Sequence, residues 1–246
     1  MKLKFIISAL VGLVALMTAQ GQNVHIPDPN FKAYLIGNPD INTDGDTEIS
    51  VAEAQAFTGA IWCQNKEISD LTGIEAFVNI TELWCFDNKL SGLDLGNNTA
   101  LIKLGCGGNK LSSLDVSNNT ALKVLRCSGS QLRSLDVSNN TGLIELMCGE
   151  NQLVSLDVSN NTALTELWCS ENQLIGLDLS NNKNLKILWC GENDLRSVNL
   201  KNGYNRNIVN LDLTKNPNLR YIQVDNVAYS NAKWSDKKDA TASFVN

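Results

Sequence analysis

Two sets of residues in this chain have the types and spacing to do chemistry. One is the run NTDGDTEISVAE at 42–53. Laid on a calcium-binding loop between two helices, Asn42, Asp44, Asp46, the Glu48 carbonyl and Ser50 fall at successive ligand positions, with Glu53 as the closing acid. Ile49 takes the usual apolar position, but Thr47 stands where the turn wants glycine. A register starting at Asp40 recovers Gly45 yet puts Val51 in place of the acid, so it is rejected. The competing reading is an acidic helix–turn–helix that covers the open end of a core. The other set is seven cysteines, at 63, 85, 106, 127, 148, 169 and 190. Their first gap is 22 residues and the next five are 21 each, the mark of one structural unit repeated along an axis.

Those cysteines do not read as a disulfide framework. An odd count leaves one unpaired, and neighbours stacked in register aim their sulfurs along one vector, a poor fit to the ~90° disulfide torsion. The spacing predicts seven reduced, buried, inert thiols acting as small hydrophobes. Hydrolytic chemistry is also poorly served. The 246 residues hold one histidine, His25, so a nucleophile–histidine set has no other choice and a multi-histidine zinc site is excluded. A carboxylate hydrolase is disfavoured because the acids are periodic rather than convergent. Leu (34) and Asn (32) dominate the composition, 43% is hydrophobic, and the net charge of −6 argues against nucleic acid as a partner.

The repeats supply the elements that position these residues. Units such as LIELMCGENQLVSLDVSNNTA (143–163) and LTELWCSENQLIGLDLSNNKN (164–184) each contain LxxLxCxxNxL and then LxxLD(V/L)SNN. In LxxLxC the second Leu and the Cys are two apart, so in a strand both point inward. Stacked coils then pair these strands into a parallel sheet. Asn88, Asn109, Asn151, Asn172 and Asn193, three places after their cysteines, form a buried ladder that satisfies turn groups, and Ser130 breaks it. The second half-motif sends pairs such as Leu156 and Val158 inward from short strands on the opposite side. It also leaves an outward column of Asp94, Asp115, Asp136, Asp157, Asp178 and Asn199. Local Ser, Thr and backbone donors explain that column better than a calcium ladder does.

These half-motifs resemble the leucine-rich repeats of bacterial proteins, in the 21-residue variant with two nested halves called the IRREKO type. The resemblance covers 61 to about 200. The first coil, ISDLTGIEAFVNITEL (68–83), looks like internalin-type repeats. The INTDGDTEIS stretch and the IQVDNVAYSNAKW tail resemble secreted Bacteroidetes proteins of this class. The fold class implied is an α/β-poor, right-handed leucine-rich repeat solenoid. It carries a parallel β-sheet on one face, short strands on the opposite side and a small helical N-terminal cap.

The expected organisation runs in four parts. Residues 1–21 read as a secretory signal peptide: Lys2 and Lys4, an apolar run from Phe5 to Met17, and small residues Ala19 and Gly21 before Gln22. Residues 22–60 form the cap, with Asp28-Pro29 starting a helix over Asn30–Ile36 that ends at Gly37, and a second helix over Val51–Phe57. The solenoid spans 61–200. Residues 201–246 form an irregular last coil and a C-terminal cap, with the side faced by Leu211–Leu213 left open. No later apolar run is long enough to cross a bilayer, so the chain is expected outside the cell or on its outer surface.

If Leu and Cys point inward, the residue between them points outward. That column reads Trp62, Trp84, Gly105, Arg126, Met147, Trp168 and Trp189, with Phe86 beside Trp84. The preceding column reads Glu82, Lys103, Val124, Glu145, Glu166 and Ile187. Exposed Trp, Met and Arg are enriched at binding hot spots, so Trp62, Trp84, Phe86, Arg126, Met147, Trp168 and Trp189 are the candidate partner-binding residues. The plain alternative is cross-strand stacking of Trp for stability. The function expected is non-catalytic recognition or adhesion of an extracellular protein, ahead of a carbohydrate-binding module and of a structural spacer. No cofactor is implied beyond calcium at the 42–53 loop.

Overall fold

The structure is a computed structural model that describes residues 21–246. The expected leader, but for Gly21, lies outside the described residues. The chain winds as a solenoid in which every coil contributes a three-residue strand. Eight of these form one parallel sheet: β1 (Ala60–Trp62), β2 (Glu82–Trp84), β3 (Lys103–Gly105), β4 (Val124–Arg126), β5 (Glu145–Met147), β6 (Glu166–Trp168), β8 (Ile187–Trp189) and β10 (Asn210–Asp212). Register is residue for residue, so Leu83, Leu104, Leu125, Leu146, Leu167 and Leu188 stack in one file. From β1 to β8 of this sheet the middle residue of each strand, Ile61 or a Leu, and the following Cys are fully buried, as a period of two requires.

The Asn ladder holds the corner after each strand. Asn172 Nδ2 donates to the Cys148 and Cys169 carbonyls at 3.0 and 3.2 Å, and its Oδ1 accepts from Leu153 N at 2.9 Å. Asn216 continues the ladder one coil beyond Asn193, and Leu213 occupies the column held elsewhere by Cys. Leu211–Leu213 therefore belongs to the long sheet. The polar loop at 201–207 is absorbed sideways, where the Asp225 carboxylate accepts from Gly203 N (2.8 Å) and Asn205 N (2.9 Å).

The opposite side departs from expectation. The second half-motif predicts a short strand in each coil that carries it, yet strands form only from β7 (Gly176–Asp178) onward, with β9 (Ser197–Asn199), β11 (Tyr221–Gln223) and β12 (Ser243–Val245) in a separate parallel sheet. In the earlier coils Leu156 and Val158 are buried without strand pairing. Amide side chains make the coil-to-coil links there. Asn119, Asn140, Asn161 and Asn182 each donate to two carbonyls of the preceding coil, for example Asn140 to Val116 O at 3.0 Å and Asn119 O at 2.9 Å. This second ladder sits inside the SNN turns, where it reads in the sequence as ordinary turn composition.

Both ends of the stack are closed. Helix α1 (Pro29–Ile36) is capped by Asp28, whose Oδ1 accepts from Asn30 N and Phe31 N while Oδ2 accepts from Ser69 N and Oγ, tying cap to coil. Burial opposes the Asp28 charge, but these donors hold its carboxyl below the ordinary range. Helix α2 (Val51–Ala56) starts with a capping box of Ser50 and Glu53. The Tyr34 hydroxyl from α1 accepts from Trp62 N at 2.8 Å, covering the free edge of β1. At the far end, α3 (Val227–Trp234) and β12 bury Trp234 and Phe244 over the last coil.

Candidate binding face of the long sheet

The outward residues of the eight-stranded sheet form two aromatic clusters. In the first, Trp62 and Trp84 stack with centroids 5.4 Å apart and Phe86 lies 5.6 Å from Trp84. The Arg126 guanidinium sits 5.7 Å from the Trp84 ring centroid and is gripped by Glu145 through Nε at 2.6 Å and Nη2 at 3.3 Å. Trp84 Nε1 donates to Glu82 Oε2 at 2.9 Å, and Lys103 Nζ lies 2.9 Å from Glu82 Oε1. The two bonds hold the Glu82 carboxyl below its ordinary range, the Trp84 donor contributing most. Trp62, Trp84, Phe86, Lys103, Arg126 and Glu145, with Val124, line a cavity of about 450 Å³.

One indole is not where the column predicts. Trp62 is 51% exposed, but Trp84 is only 8% exposed and belongs to the floor of the cavity. The cause is Gly105, the next residue in the column. A Cβ there would come within 2.3 Å of Phe86 Cζ and 2.4 Å of Trp84 Cε3, so both rings fill the space that its missing side chain leaves. Arg126 then reaches back over them from one coil further on.

The second cluster is Trp168 and Trp189, centroids 4.1 Å apart, both half-buried. Their Nε1 atoms are buried without an acceptor among the described residues, so the rings turn carbon surface toward solvent. Met147 is half-buried between the clusters.

The remaining candidates have local roles. Glu53 Oε1 accepts from Thr43 N and Oγ1 at 2.8 and 3.1 Å and Oε2 from Ser50 N and Oγ at 2.9 and 2.8 Å. Burial resists its charge, but those donors bring its pKa down to about 2. Asn42 donates to the Ile36 and Asp46 carbonyls, Asp44 and Asp46 each accept a backbone N–H two residues on, and Glu48 pairs with Lys32 at 2.6 Å. Among the described residues, no three His, Cys, Asp or Glu side chains are grouped to hold a metal ion.

On the opposite side, Asp115, Asp136, Asp157 and Asp178 each accept from the Ser two residues on, at 2.9 Å to its N–H. Those serine donors lower all four carboxyls. The seven cysteines are free and buried, and burial pushes Cys63 and Cys106 up to about 12. His25 is exposed and apart from both clusters.

A parallel solenoid of 21-residue coils, with inward Leu and Cys files and Asn ladders at its corners, has the leucine-rich repeat fold. Residues 48–161 match the family model described as the Endo-beta-N-acetylglucosaminidase EndoS LRR domain. The chain is 35% identical over 80 residues to Internalin J of Listeria monocytogenes serotype 4b (strain F2365); the match covers 32% of this chain and 8% of that relative. Among solved structures it is similar to a leucine-rich repeat protein of Leptospira interrogans, with TM-score 0.58 and 21% identity over 74% of this chain and 52% of that one. It is also similar to internalin C2 of Listeria monocytogenes, with TM-score 0.54 and 20% identity over 89% of this chain and 94% of that one. These two likenesses establish the fold. Among the described residues no helix is long and apolar enough to cross a membrane.

Proposed function

We propose that this is a non-catalytic recognition module whose long-sheet face binds another protein, serving adhesion by a chain that residues 1–21 direct out of the cytoplasm. The observation carrying this reading is the Trp168–Trp189 pair. Two indoles lie 4.1 Å apart with their carbon surface outward, and a third, Trp62, is 51% exposed on the same face. Such surface is costly to leave in water and is the material of interface hot spots. A glycan is the weaker fit. Sugar sites place several free polar groups beside each ring, whereas around the first cluster Glu82, Lys103, Arg126 and Glu145 are already paired with one another, and beside the second only Glu166 is left without a partner on the strands.

The test compares capture of an extracellular partner by the wild-type chain with capture by two variants. Trp168→Ala/Trp189→Ala should lose the partner with an unchanged circular dichroism spectrum. Asp115→Asn/Asp136→Asn, on the opposite side, should retain it. Full capture by the indole variant, or binding to polysaccharide alone, would refute the reading.

A further inference from the structure

The tripeptide Glu-Leu-Trp occurs twice in the long sheet, as β2 (Glu82–Trp84) and β6 (Glu166–Trp168). In β2 every polar group is matched within the chain. Glu82 receives the indole N–H and Lys103, and the face of Trp84 receives Arg126. In β6 none of this is repeated. In the long sheet β3 sets Lys103 beside Glu82, but β8 sets Ile187 beside Glu166. On the other flank Glu166 faces Glu145, a like charge directly across the ladder, which is unfavourable. Arg126 neutralises Glu145 and not Glu166, and no salt bridge among the described residues reaches Glu166. The next outward residue after Trp189 is Asp212, in register with it on β10. Beyond the strands stand exposed Glu171 and Glu192, the latter paired with Lys215 at 2.6 Å, and exposed Lys186 precedes β8. The C-terminal cluster is thus an aromatic pair in acidic surroundings that lacks the cation its N-terminal counterpart contains.

We propose that Trp168, Trp189 and Glu166 form a receptor for an arginine or lysine side chain presented by the partner protein. That cation lies over the indoles and against Glu166, taking the part that Arg126 and Lys103 play around Trp84 and Glu82. The proposal rests on the protein-recognition reading above and names the chemistry of the partner's contact. The opposite side supplies an internal control: Asp136, flanked by Asp115 and Asp157 in the neighbouring coils, stands in an acidic column with no aromatic residue in the SLDVSNN turns around it.

The experiment titrates the chain with the blocked peptide Gly-Gly-Arg-Gly-Arg-Gly-Gly and with its citrulline counterpart, which keeps the shape and removes the charge. Indole N–H resonances assigned by single Trp→Phe variants are followed by NMR. The arginine peptide should shift Trp168 and Trp189 saturably, and the citrulline peptide should bind about tenfold more weakly or worse. Glu166→Gln should weaken the arginine peptide by a similar factor, while Asp136→Asn should leave it unchanged. Equal binding of both peptides, no effect of Glu166→Gln, or an equal loss in Asp136→Asn would overturn the proposal. If the arginine peptide fails while partner capture still depends on Trp168, this proposal falls and the recognition face stands. If capture is indifferent to both indoles, the recognition face falls and the proposal goes with it.

Discussion

Asn151 Oδ1 accepts from Leu132 N at 3.0 Å, a bond that reaches across to the preceding coil. One coil earlier Ser130 stands in the same ladder position, and its hydroxyl is buried with no partner among the described residues. The short side chain cannot span to Leu111 N, and the Cys106 carbonyl loses the second amide that its counterpart Cys148 receives from Asn172. Replacing Ser130→Asn should restore both bonds and stabilise the chain by about 1–2 kcal/mol, raising Tm by about 2–6 °C. Asn151→Ala should cost more than that gain, because it strands several buried groups at once. Thermal unfolding by circular dichroism measures both.

The thiol file makes the protein sensitive to base. Burial raises the Cys63 and Cys106 pKa from 9.0 to about 12 and moves Cys85, Cys127 and Cys148 in the same direction. A thiol that ionises more readily in the unfolded chain withdraws stability as pH rises. That stability is whole below pH 9 and falls from there toward 12. Urea midpoints should therefore drop steeply above pH 9, and Cys106→Ala/Cys127→Ala should show a shallower slope. A thiol reagent at pH 8 should react only at the rate of unfolding.

Glu53 works in the acid range with the opposite sign. Its pKa is lowered from 4.5 to about 2, so its contribution is present above pH 4.5 and is lost as pH falls toward 2. Glu53→Gln should cost about 1–2 kcal/mol at neutral pH and flatten the acid limb of the stability curve. Both carboxylate oxygens are already engaged by donors from the loop and the helix start. Calcium at millimolar excess should accordingly leave Tm unchanged, and a rise of several degrees that Glu53→Gln abolishes would show the loop to be a metal site instead.

Trp84 and Trp168 should respond differently to truncation although both sit in Glu-Leu-Trp strands. Trp84 is 8% exposed and packed by Trp62, Phe86 and Arg126, so Trp84→Ala should cost about 3–5 kcal/mol. Trp168→Ala should cost about half as much, since part of its ring is already in water. Gly105→Ala should destabilise through the same cluster, because its Cβ would meet ring carbons at 2.3 and 2.4 Å. Chemical denaturation of the three variants ranks them.

The repeat period, the inward Leu and Cys files and the first Asn ladder are legible in the sequence because spacing alone dictates them. Asn119 and its companions obey the same arithmetic, but SNN reads as turn chemistry until the donors are seen to reach the previous coil. The side taken by Leu211 is hidden because the loop at 201–207 resets the count, and only Asn216 re-establishes it. The burial of Trp84 depends on how two rings and an arginine share the space above Gly105, which no column of letters encodes. The missing strands opposite the long sheet are equally out of reach, since SLDV at 155–158 and GLDL at 176–179 carry the same half-motif and only the second forms a strand.

The Tyr34 hydroxyl over Trp62 N has a consequence beyond the cap. A stack of parallel strands with a bare first edge is a template onto which further chains can add, as in the growth of fibres. One phenol oxygen takes one of the hydrogen-bonding places that such an intruder needs, so the cap blunts the first edge of the sheet against addition of a strand.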